Sequence, residues 1–140
     1  MMANKTRLSM IVVILIMIGF LSIAQEQSSS AQECKVVTIS GMNLIQLEPA
    51  ALTVSKGTCV VWFSRSVANQ LTISFADGKK CDEVTDAASG FILNQQSCYT
   101  STDITTGGTA SLRFLETGTY PYSIFLDDGK KVAEGTVTVQ

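Results

Sequence analysis

The sequence predicts an all-β sandwich of about seven strands behind a short N-terminal segment that takes no part in the fold. Three observations carry the prediction: short runs of alternating apolar and polar residues, turn signals at a spacing of roughly 8 to 12 residues, and no long stretch with helical periodicity. At 140 residues, 46% hydrophobic and 16% charged, the chain suits one compact domain rather than a disordered or fibrous one.

Residues 1–24 stand apart. Lys5 and Arg7 precede the uncharged run SMIVVILIMIGFLSIA, and polar QEQSSSAQE follows. This is the pattern of a secretion signal, with small residues placed for a cut before Gln25 or as late as after Ala31. The other reading is an uncleaved anchor, but the run falls short of the ~20 residues a membrane span needs. Cys34 lacks the leucine and small-residue context of a lipid-attachment box. Residues 25–33 read as a flexible linker and 34–140 as the domain, which is expected to be periplasmic or secreted. The membrane is a partner only if the N-terminal segment stays uncleaved.

Losing Lys5 and Arg7 from the ten basic residues leaves eight against twelve acidic ones, a net charge of −4. Phosphate backbones and anionic lipid repel such a domain, and no basic run or basic amphipathic helix offsets this. Nucleic acid is therefore not an expected partner.

From Cys34 onward the strands can be placed in order. KVVTIS alternates and stops at Gly41, NLIQLEP follows, and ALTV ends at the SKG turn. CVVWF is an apolar run of strand length. QLTISF alternates up to ADGKK, and TASLRF stops at ETG. TYPYSIFL and KVAEGTVTV enclose DDGK, where Asp-Gly suggests a two-residue hairpin turn with both central residues at positive φ. The exception is residues 79–109, a long, polar, turn-rich excursion that holds the apolar triplet Phe91, Ile92 and Leu93. A connection of that length is usually functional or cross-linked.

Four cysteines, Cys34, Cys59, Cys81 and Cys98, in an exported chain point to two disulfides. Three pairings are open, and no CxxC spacing suggests zinc or thioredoxin chemistry. Four thiols gathered on a metal would be at odds with an oxidising compartment. A Cys81–Cys98 bond would close the excursion and contribute on the order of 3 kcal/mol.

LTVSKGTCVVWFSRSVANQLTI, with GTYPYSI and GTVTV, resembles the cupredoxin (plastocyanin-like) family. The likeness covers most of residues 45–75 and 110–140 and leaves out the excursion. It implies a Greek-key β-sandwich, to which the excursion adds one long disulfide-closed loop. It also implies, in ordinary members, a type 1 copper site of two imidazoles, one thiolate and a weak axial thioether. Here the ligand positions fall on Asn69, Ile124, Asp127 and Ala133. An amide is a poor copper ligand, and an alkyl chain is none. The whole chain contains no histidine, and Met42 is its only methionine beyond the leader. The resemblance further implies that Ile124 packs as core and that disulfides take over from metal bonds at that end of the sandwich. In the family the first and third strands run side by side in the same direction, which implies the pairing Cys34–Cys59 and leaves Cys81–Cys98.

Other candidates have plainer explanations. Asp82, Glu83 and Asp86 could attract calcium, but they lack the alternating carboxylates and glycine of an EF-hand loop and read as a solvated segment. No pair of acids is marked for glycoside hydrolysis, and serine or cysteine nucleophiles lack a histidine base, so no enzyme is expected. Trp62, Phe114, Tyr120, Tyr122 and Phe125 read as filling between the sheets. Phe91, Ile92 and Leu93 either tuck over the sandwich or meet a partner.

The expected function is therefore that of an exported cupredoxin-like module with a binding or structural role and no cofactor. It would contact a protein of the periplasm or envelope through the 79–109 loop and the ligand-free end. The alternative is copper binding and electron transfer through non-standard ligands.

Overall fold

The computed structural model describes residues 33–68, 70–75 and 81–140. The expected signal segment, residues 25–32 of the expected linker, Asn69, the ADGKK turn and the side chain of Asp82 lie outside the described residues. The domain is a sandwich of two sheets. One sheet has the order β2 (Gln46–Glu48), β1 (Cys34–Ser40), β4 (Cys59–Ser64), β9 (Thr109–Phe114), β6 (Thr85–Ser89). The other runs β3 (Ala51–Val54), β11 (Lys131–Val139), β10 (Gly118–Leu126), β5 (Leu71–Phe75), β8 (Tyr99–Ser101), β7 (Phe91–Leu93).

The alternation in the sequence is what builds these layers. Val60, Trp62 and Ser64 of β4, Leu71, Ile73 and Phe75 of β5, and Tyr120, Tyr122 and Ile124 of β10 all turn inward, each two residues from the last. Trp62 sits at the centre, with edge-on ring contacts to Phe75 and Phe91 at 5.6 Å and to Tyr122 at 5.4 Å. Phe114 and Tyr120 join this filling as expected. Phe125 does not: it follows the register shift after Ile124 and is only half-buried. Opposite Tyr122 in the ladder stands Gly135, where any Cβ would overlap the hydroxyl end of the tyrosine ring.

The described domain forms eleven strands where about seven were expected. The excess comes largely from the excursion, which is not a loop. It folds into the one-turn helix α1 (Cys81–Val84) followed by β6, β7 and β8. Three-residue strands are too short to show a period, and their partners lie far along the chain, so local pattern could not reveal them. The chain leaves one sheet at Ser89 and enters the other at Phe91, turning at Gly90 with φ +70°. There a side chain would press on the backbone of Thr109 and Ala110.

The strand directions define two ends. β1 and β4 start, and β9, β3 and β11 finish, at one end; that end also carries α1 and the β7–β8 turn. The opposite end gathers the connections at residues 41–45, 65–70, 102–108 and 127–130.

Candidate functional site

The end where those four connections meet corresponds to the metal-binding end implied by the family resemblance. Ile124 is fully buried, opposite Ile73 on one side and Ala133 on the other. Asp127 lies exposed at the tip of the β10–β11 hairpin. The described positions thus offer two alkyl groups inside continuous strands and one solvated carboxylate. This set does not fit type 1 copper, which requires imidazole and thiolate donors. Among the described residues, no group of three or more His, Cys, Asp or Glu side chains is placed to hold a metal.

The hairpin has a different form from the one expected. Gly129 N–H donates to Leu126 O at 2.9 Å and Leu126 N–H to Lys130 O at 3.0 Å, while Gly129 alone of the tip residues has positive φ, +79°. This is a three-residue loop, a turn over 126–129 closed by a glycine bulge, rather than a two-residue turn. Lys130 N–H donates to the Asp128 carboxylate at 2.9 Å, so Asp128 serves the turn.

Ser66 ties the loops of this end together. It is fully buried, and its hydroxyl donates to Gly41 O at 2.7 Å while accepting from Ala68 N–H at 3.1 Å. Its carbonyl accepts from Thr106 Oγ1 at 2.6 Å. Val67 N–H also reaches Gly41 O, at 3.2 Å, and Ser64 exchanges backbone bonds with Gly107 and Gly108 at 2.7 and 3.0 Å. Ile104 and Leu71 exchange a further pair at 2.8 and 3.1 Å. Gly41 is needed here, since its φ is +103° and a Cβ would overlap Leu44 O.

On this braced frame stand three large apolar side chains in water: Leu44 is 70% exposed, Val67 63% and Met42 61%. A backbone hydrogen bond from Val67 N–H to Gly41 O joins the two loops that carry this exposed apolar set. Sequence reasoning missed it, assigning Leu44 to a strand and passing over Val67. The available signal was Gly41 itself: Met42 and Leu44 directly follow a glycine break and so lie off the strand. Ser66 was missed too, since a lone serine carries no sign of burial.

The apolar triplet in the excursion divides. Phe91 is buried between Trp62 and Tyr99, which removes it from the contact residues. Ile92 and Leu93 face solvent on β7, at 59% and 46% exposure. Of the acidic cluster, Asp86 forms a two-pronged ion pair with Arg113, directly across from it in the β6–β9 ladder. The guanidinium holds the Asp86 carboxyl below its usual range, and burial opposes this more weakly.

Both cysteine pairs lie at the far end, away from the position of the absent ligands. Cys34 and Cys59 face each other at the starts of parallel β1 and β4, with Cα atoms 4.4 Å apart, and are joined by a disulfide. Cys81 and Cys98 are both buried, and Cys81 N–H donates to Ser97 O at 2.8 Å. The expectation that disulfides replace the metal at its own end is therefore corrected. Ser66 and its hydrogen bonds tie that end.

Three polar atoms, Trp62 Nε1, Ser64 Oγ and Tyr122 OH, are buried without a hydrogen-bond partner among the described residues. Burial raises the Tyr122 phenol. The Trp62 indole is near enough to act in the opposite sense without meeting hydrogen-bond geometry.

No protein-family model matches the sequence, and no curated protein does. Solved structures do. An oxidized amicyanin mutant is 22% identical with a TM-score of 0.55, over 76% of this chain and 82% of the other. A reduced Cu(I) amicyanin mutant at pH 4 is likewise 22% identical with a TM-score of 0.55, over 79% and 85%. A third, a reduced mutant, has 21% identity and a TM-score of 0.56 over the same shares. At this identity the likeness establishes the cupredoxin fold.

Proposed function

We propose that this chain is an exported, copper-free binding module, not an enzyme, that docks an apolar face of another envelope protein onto the end formed by residues 41–45 and 65–70. The observation that carries the reading is the exposure of three large apolar side chains, Met42, Leu44 and Val67, on two loops tied together through buried Ser66. A domain with no need of that surface would cover it, because apolar area in water favours association by ~25 cal/mol per Å². We also propose that Cys81 and Cys98 are joined in the exported protein, supported by their burial and by the backbone bond beside them.

The test is recovery of partners from envelope extract by the wild type and by a Met42→Ser, Leu44→Ser, Val67→Ser triple variant. Loss of specific partners with an unchanged circular dichroism spectrum is expected, and equal recovery overturns the reading. Electron transfer is tested separately by adding Cu(II): an intense visible band from a copper–thiolate bond would restore it. Alkylation of the unfolded, unreduced protein is expected to leave its mass unchanged, while two modified cysteines would refute the second disulfide.

A further inference from the structure

A sandwich has four sheet edges, and each exposes backbone groups able to accept a further strand. Here the edges are β2, β6, β3 and β7. β2 is protected by the charge of Glu48 and by Pro49 directly after it. β6 is broken by a register shift between Asp86 and Ser89, with Ala87 held at φ +49°. β3 turns only the small side chains of Ala51 and Thr53 to solvent. β7 carries none of these guards: it has no charge, proline or bulge, and Gly90 and Asn94 beside it are uncharged. Among the described edges it is the one with exposed large apolar side chains, Ile92 and Leu93.

The β7–β8 ladder settles which backbone groups face outward. Thr102 N–H donates to Gly90 O at 2.9 Å and Asn94 N–H to Cys98 O at 2.8 Å. Bonded and non-bonded pairs alternate along an antiparallel ladder, so residues 90, 92 and 94 face β8. The N–H and C=O groups of Phe91 and Leu93 therefore point to the free edge.

We propose that this edge pairs with itself: two copies of the chain add β7 to β7, antiparallel about a two-fold axis through Ile92. The pattern is self-complementary. Phe91 of each copy meets Leu93 of the other as a bonded pair, and the two Ile92 side chains meet on the outer face. Four backbone hydrogen bonds close the contact. Three-residue strands bury far less than the ~1,200 Å² of a stable interface, so the dimer is weak and forms only as the concentration rises toward millimolar. The proposal goes beyond the docking role read above and is independent of the Met42, Leu44 and Val67 surface.

The test is sedimentation equilibrium of the purified chain from micromolar to millimolar concentration, with amide hydrogen exchange alongside. The average mass is expected to climb toward twice that of the monomer. Exchange at Phe91 and Leu93 should slow with concentration while Ile92, already bonded to β8, changes little. Ile92→Lys places like charges on the axis, and Leu93→Pro removes an outward N–H without touching the β8 ladder; both are expected to stay monomeric. A wild type that stays monomeric at millimolar concentration overturns the proposal, as does concentration-independent exchange at Phe91 and Leu93. The Met42, Leu44, Val67 triple variant separates the two readings, since it should lose its partners and still dimerise.

Discussion

The two ends of the sandwich solve the same problem with different chemistry. At the end where β1 and β4 begin, a covalent bond joins Cys34 to Cys59. Backbone bonds from Lys56 to Gln140 and from Gly57 to Phe114, at 3.1 and 2.7 Å, add to it, as does the Tyr120 hydroxyl on Glu116 O at 2.8 Å. At the other end a buried serine links three connections, and the surface above it is apolar. The difference teaches that an end of this fold without metal ligands does not need a covalent bond. Hydrogen bonds suffice where the groups they satisfy are out of water, because leaving such groups unpaired costs more than each bond contributes.

The contrast can be broken most forcefully at the covalent end. Replacing Cys34 and Cys59 together by Ser is expected to cost about 3 kcal/mol, since the bond closes a long segment of the unfolded chain. Urea denaturation followed by fluorescence of Trp62 checks this, and a loss below that of Ser66→Ala would reverse the ranking of the two ends. In the shared core, Gly135→Ala forces a methyl group into Tyr122 and should cost about 2 kcal/mol. If its midpoint matches the wild type, that close approach is relaxed in solution.

At the hydrogen-bonded end, Ser66→Ala strands Ala68 N–H and removes a donor from Gly41 O, for an expected loss of ~1–2 kcal/mol. Faster amide exchange should be confined to residues 41–45 and 65–68. Uniform acceleration across the sandwich would show that Ser66 is not a local brace. The smallest effect belongs to Asp86. Its folded pKa is depressed by the hydrogen bonds from Arg113, so the pair stabilises above the unfolded carboxylate value of ~3.9. That contribution disappears as pH falls through the lower folded value. Because both side chains are about a third exposed, the loss should be a few tenths of a kcal/mol. Asp86→Asn should remove that part of the acid slope, and an unchanged slope would mean that the pair contributes nothing.

How far the fold could be read depended on how locally each element is specified. β4, β5 and β9 carry an inward residue at every second position, as do β10 over Tyr120–Ile124 and β11 over Gly135–Val139, and the limits of all five stand within a residue or two of the apolar runs. The Cys34–Cys59 pair followed from the parallel neighbours that the family resemblance implies. The excursion was not legible, since Phe91 looks no different from Ile92 until Trp62 is placed beside it. At the candidate site the missing ligands could be read by name, but the exposed apolar residues could not, because they stand on two connections that meet only in space.

What the amino-acid sequence determined on its own was chemical inventory and strand pattern: no histidine, an alkyl group at position 124, and a two-residue apolar period. Those depend on residue identity and near neighbours. Which apolar side chains stay in water, which serine is buried and which sheet edge lies open depend on contacts between distant segments, and only the packed sandwich decides them.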